Sequence, residues 1–134
     1  MNYKDHNTFR NGNFTMFPNE AFALDLSMGE ICVYLYLLYR EDRSSYTCYP
    51  SANTIARDLK VSRPTVRKYV EMLERKGLIN TEYTSIQTKK YGKVNGNLKY
   101  TILPIKPVFD ADFQKRILMQ ENQMRIDKLL YKMK

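Results

Sequence analysis

A chain of 134 residues points to one domain with a modest core. Its formal net charge is +8 and its pI about 9.5, which makes a polyanion the natural partner. Two cysteines and one histidine exclude a disulfide framework and a Cys/His metal site.

The longest apolar run, Ile31 to Tyr39, is far short of a bilayer span, and the polar start of the chain does not read as a signal peptide. The expectation is a soluble cytoplasmic protein with reduced cysteines, no membrane partner and no cofactor.

Residues 1–13 are polar and read as a flexible N-terminal arm, which carries His6. Phe14, Met16 and Phe17 suggest a short strand or a hydrophobic tether. Pro18 then opens a helical turn over PNEAFAL, with Phe22 and Leu24 as anchors.

The first long helix begins after Ser27. Ser27 and Glu30 have capping-box spacing, and Leu26 with Ile31 has the spacing of a hydrophobic staple. Ile31, Tyr34, Leu35 and Leu38 fall at i, i+3, i+4 and i+7 and predict a core face. Cys32, read as a small core residue, Val33, Tyr36, Leu37 and Tyr39 make this helix apolar almost all round. Such a helix is central to the fold or covered by a partner. Glu41 to Pro50 is polar and reads as a surface loop.

Ser51 is the predicted N-cap of a second helix running to about Lys60 and burying Ile55, Ala56 and Leu59. Lys60-Val61-Ser62 is a turn in which Val61 plugs the corner. A third helix starts with Ser62 as N-cap and Pro64 in its first turn. Val66, Tyr69, Val70 and Leu73 form its buried stripe, and Gly77 is its left-handed C-terminal residue.

From Leu78 the period changes. Ile79–Thr88 and Leu98–Leu103 are rich in β-branched and aromatic residues and read as strands of a hairpin. KKYGKVNG between them forms a basic tip. Pro104 and Pro107 end the sheet, and Asp110 caps a last helix to about Met133. There Phe113 and Ile117 make one contact row. Met119, Ile126 and Met133 repeat every seven residues beside Leu129, a pattern that fits either self-association or folding back on the domain.

The charge is concentrated. Residues 60–100 hold ten Lys/Arg against three Glu, so they carry +7 of the chain's +8. On the third helix, Arg63, Pro64, Thr65, Arg67, Lys68 and Glu71 face outward. Arginine makes bidentate bonds to guanine in the major groove, so Arg63 and Arg67 are candidates for base readout, with Thr65 beside them. Lys68 and Ser62 suit phosphate. Ser51, Asn53 and Thr54, at the start of the second helix, offer its positive end to the DNA backbone. In the hairpin, Lys89, Lys90, Tyr91 and Lys93 form a basic wing, with Asn95 and Asn97 in the same tip.

PSANTIARDLKVSRPTVRKYVEMLERKGLI resembles the winged helix-turn-helix domains of bacterial transcription regulators, notably the GntR-type. It is even more similar to helix-turn-helix domains of phage, plasmid and conjugative-element proteins, replication initiators included. The matching marks are Pro50-Ser51, Ile55-Ala56…Leu59, Val61-Ser62-Arg63…Thr65-Val66 and Leu73…Gly77-Leu78-Ile79. FPNEAFALDLSMGEICVYLYLLYRED resembles the preceding helix of such proteins.

The resemblance, over roughly residues 14–103, implies a mainly α fold with a small β-hairpin wing, a domain placed at 14–104; the residues themselves add a C-terminal helix within 105–134. It implies a recognition surface of Ser62, Arg63, Thr65, Arg67 and Lys68, with the hairpin as wing. One position departs from the pattern, because the turn residue usually given to glycine is Lys60.

The expected function is sequence-specific binding of double-stranded DNA as a transcription regulator. A replication initiator of a mobile element and a protein-interaction module on the same scaffold are the alternatives. A homodimer through the first or last helix is expected. No glycine-rich phosphate loop, nucleophile elbow or Cys/His cluster points to an enzyme.

Overall fold

In the computed structural model the described residues are 14–133. The arm expected over residues 1–13, with His6, lies outside them. Among the described residues, a 3-10 turn over Asn19–Ala23 precedes helix α1 (Met28–Arg40), strand β1 (Thr47–Cys48), α2 (Ala52–Leu59) and α3 (Arg63–Arg75). Strands β2 (Ile79–Glu82), β3 (Ser85–Thr88), β4 (Gly92–Asn95) and β5 (Lys99–Ile102) follow, and α4 (Ile105–Lys132) closes the chain.

The capping box forms as expected. The Ser27 hydroxyl accepts the Glu30 N–H at 3.3 Å, and the Glu30 carboxylate accepts the Ser27 N–H at 2.6 Å. The core face of α1 is Glu30, Val33, Tyr34 and Leu37, together with Tyr36. This corrects the face expected at Ile31, Tyr34, Leu35 and Leu38 by one residue. Leu35 is 40% exposed, and Cys32 is exposed rather than in the core.

The physical reason is that an almost wholly apolar helix has no unique face in its pattern. The tie is broken by Glu30, a charged residue that pattern reading places outside. Its carboxylate pairs with Lys76 Nζ at 2.7 Å, and Lys76 also donates to the Asp25 carbonyl at 2.5 Å. Burial pushes the Glu30 carboxyl up, but Lys76 and the Ser27 N–H and hydroxyl outweigh it, leaving it below its ordinary value.

Helices α1 and α3 meet at Gly29, where any Cβ would run into the Tyr69 ring. Tyr69 is accordingly half-buried, whereas Val66, Val70 and Leu73 are fully inside. The Tyr36 hydroxyl donates to Asp58 at 2.6 Å and fastens α2 to α1.

The turn between α2 and α3 keeps its left-handed residue although that residue is lysine. Lys60 has φ 58 and ψ 43, and the Val61 N–H bonds to the Ala56 carbonyl at 3.0 Å. These backbone bonds close the corner. Val61, expected as its plug, is 40% exposed. Gly77 ends α3 as expected, at φ 81, with the Leu78 N–H reaching back to Leu73 at 3.1 Å.

The strands differ from the single hairpin expected. Strands β1, β5 and β2 form a three-stranded antiparallel sheet in that order, and β3 with β4 forms a separate two-stranded sheet. Strand β1 lies in the segment read as a loop, because two residues are too few to show a period. The long arms break at Thr84 and Gly96. The Thr84 hydroxyl donates to Asn97 and the Gly96 N–H to Thr84, and a side chain at Gly96 would strike Thr84.

Ala21 is the buried anchor of the 3-10 turn and Phe22 is exposed, which corrects the expectation. Phe17 packs edge-on against Tyr34 at 5.8 Å.

Helix α4 starts after Pro104, not at Asp110. Proline lacks the N–H that a first turn leaves unused, so Pro104 and Pro107 mark the start of the helix as well as the end of the sheet. Ile105 and Val108 pack on the core, and Arg116 donates to the Ala23 carbonyl. Phe113 is exposed and Ile117 half-buried, so the expected contact row forms only in part.

Candidate nucleic-acid interface

Ser62 caps α3 by accepting the Thr65 N–H at 3.3 Å, and the two hydroxyls share a hydrogen bond of 2.7 Å. Both hydroxyls are therefore engaged in the cap, and Thr65 is half-buried. Pro64 has no N–H, so Arg63 has the one amide left open in the first turn.

Arg63, Arg67 and Lys68 are exposed along the outer face of α3. The nearest acid toward the C-terminus, Glu71, pairs with Arg75 at 2.5 Å and not with Arg67. Among the described residues neither Arg63 nor Arg67 has a salt-bridge or hydrogen-bond partner. Lys68 lies over the Tyr69 ring at 5.6 Å.

Ser51 caps α2 in the same way, accepting the Thr54 N–H at 3.0 Å and sharing a hydroxyl bond of 2.8 Å with Thr54. The cap uses the side chains of Ser51 and Thr54 but leaves the N–H groups of Ala52 and Asn53 open at the positive end of α2. Asn53 is exposed.

Between α3 and the outer strands lies an open cleft of about 640 Å³. Its lining includes Arg63, Arg67, Glu71 and Glu74 of α3, Ser51 and Asn53 at the start of α2, and Tyr83, Asn95 and Asn97. Tyr100 forms part of its floor. Burial pushes its phenol up, and the Arg67 charge partly offsets this. The Asn97 amide donates to the Tyr49 carbonyl at 3.0 Å, which ties the link between β4 and β5 to the segment leading into α2.

Lys89, Lys90 and Tyr91 form the turn joining β3 and β4, where Lys90 lies over the Tyr91 ring at 5.2 Å. Lys93 is on β4 and not in the turn. It pairs across with Gln87, as Asn95 does with Ser85, so these four share one face. Asn95 lines the cleft, which puts that polar face on the side of α3.

The structure thus brings Arg63, Arg67, Ser51 and Asn53 into one cleft, with Thr65 and Lys68 beside it on α3. It sets Lys89 and Lys90 apart at the far tip. Asn95 and Asn97, expected in the hairpin tip with the lysines, line the cleft instead. Tyr83 and Gln87 carried no assignment from the sequence, and Tyr83 stands out only through its 94% exposure at the break between β2 and β3.

Residues 24–79 match the model of a helix-turn-helix domain family. No curated protein matches the chain. Among solved structures it is similar to a possible transcriptional regulator from Methanosarcina mazei Go1, with 16% identity and a TM-score of 0.57 over 84% of this chain and 96% of that one. It is also similar to MepR of S. aureus in complex with DNA, with 19% identity and a TM-score of 0.45 over 86% of each chain. At such identity the first likeness is one of fold. Residues 24–79 are therefore a helix-turn-helix domain, set in a winged-helix fold whose wing is the outer sheet of β3 and β4.

Proposed function

We propose that this protein binds double-stranded DNA sequence-specifically and acts as a transcription regulator. The observation that carries the reading is the pair Arg63 and Arg67. Both stand exposed and unpaired among the described residues, on one edge of the second helix of a helix-turn-helix, while Arg75 further along that helix is tied to Glu71. An arginine left open in this way offers a planar fork that matches guanine O6 and N7.

In this reading α3 enters the major groove, with Arg63 and Arg67 on base edges and the Thr65 methyl near thymine. The open amides at the start of α2, with Asn53 and Lys68, take phosphates. Lys89, Lys90, Tyr91 and Lys93 follow the backbone or the neighbouring minor groove. The fold likeness to a possible transcriptional regulator and the concentration of charge in residues 60–100 support the assignment.

Selection of binding sites from random duplexes tests it. The expected result is a defined motif that relaxes with Arg67→Ala. A preference for promoter regions supports the regulator, and a preference for a replication origin would reassign the pathway. Failure to shift any duplex at low salt would overturn DNA binding altogether.

A further inference from the structure

Helix α4 leaves its domain after Arg116. From Leu118 to Met133 every residue is exposed, and no residue of α4 is buried. Yet Leu118, Met119, Ile126, Leu129, Leu130 and Met133 fall on one side of the helix. Met119, Ile126 and Met133 hold one seam position, and Leu129 the other, three residues after Ile126. Asn122 takes the equivalent place three residues after Met119. A contiguous apolar stripe of this kind marks a contact surface.

We propose that the stripe seats a second copy of this chain, in a parallel, in-register pair of α4 helices with Asn122 facing Asn122. The occupant follows from two features. An asparagine in an apolar seam needs a partner that both donates and accepts, and its own counterpart does so in register.

The edges of the stripe set the direction. Arg125 and Lys132 lie on one edge, Gln123 and Leu130 on the other. In a parallel pair each cationic edge meets the Gln123 and Leu130 edge of the other copy. In an antiparallel pair the two cationic edges would meet each other and repel.

The stripe is roughly 22 Å long by helical rise. Its interface falls at the small end of specific contacts. None of the cleft residues lies on α4, so the proposal stands independently of DNA binding.

Disulfide trapping on the full chain in a Cys32→Ser background tests both occupant and direction, because Cys48 is buried. Met119→Cys is expected to cross-link with itself, and Met133→Cys likewise. Cross-linking only between a Met119→Cys chain and a Met133→Cys chain would overturn the parallel register. Sedimentation velocity at high micromolar concentration is expected to show two copies, weakened at least tenfold by Ile126→Lys with an unchanged circular dichroism spectrum. A monomer under those conditions, or a dimer indifferent to Ile126→Lys and Leu129→Lys, would overturn the proposal.

Discussion

Arg63 and Arg67 are distinguished from the other cations of α3 by what they lack. Removing either is expected to weaken a cognate site by roughly 1–3 kcal/mol and to relax its specificity. Fluorescence anisotropy on cognate and random duplexes checks this, and equal losses on both would exclude base readout. Lys60 carries a different kind of strain, since a side chain at φ 58 crowds the backbone. Lys60→Gly is expected to raise stability by about 0.5–1 kcal/mol in urea denaturation without touching the DNA face. A loss of stability would mean that the turn tolerates lysine at no cost. Ser27, Ser51 and Ser62 were legible as caps because a cap needs only the sequence within three residues. Glu71 has an arginine four residues away on either side, and it pairs with Arg75, the acid-before-base order that an exposed helix pair favours.

At the scale of elements, the helix-turn-helix and the wing separate by chemistry. Lys89→Ala and Lys90→Ala are each expected to weaken cognate and random DNA alike and to lower the salt slope by about one. A slope unchanged in salt titrations would detach the wing tip from the DNA. Gly29 fixes the approach of α1 to α3, so Gly29→Ala is expected to destabilise by roughly 1–3 kcal/mol through the clash with Tyr69. Thermal unfolding measures it, and an unaltered midpoint would show that Tyr69 swings out freely. The three core helices could be read from caps and stripes. The face of α1 could not, nor could β1 or the division of the hairpin at Thr84 and Gly96, since these depend on partners far along the chain.

At the scale of the whole molecule, an ion pair between buried Glu30 and partly exposed Lys76 links the start of α1 to the end of α3. The folded-state value of Glu30 lies below its ordinary one, so its contribution is complete above the unfolded value, about 4.3, and is lost as the pH falls through the folded value. Stability is therefore expected to decline below about pH 4.3, with a shallower decline for Glu30→Gln. At neutral pH that variant is expected to be less stable by roughly 1–2 kcal/mol, since Lys76 keeps access to water. Identical acid profiles for the two proteins would show that the pair is not a determinant of acid stability.

The sequence by itself determined the caps of α1, α2 and α3, the left-handed turn at Gly77, the helix-turn-helix and the concentration of positive charge. All of these are set by residues close together in the chain. Only the tertiary structure decided that Glu30 belongs inside, that α4 begins at its prolines and runs out beyond the domain, and that Tyr83 and Asn95 line one cleft with Arg63 and Arg67. Those outcomes come from competition for partners distant in sequence, which local spacing does not record.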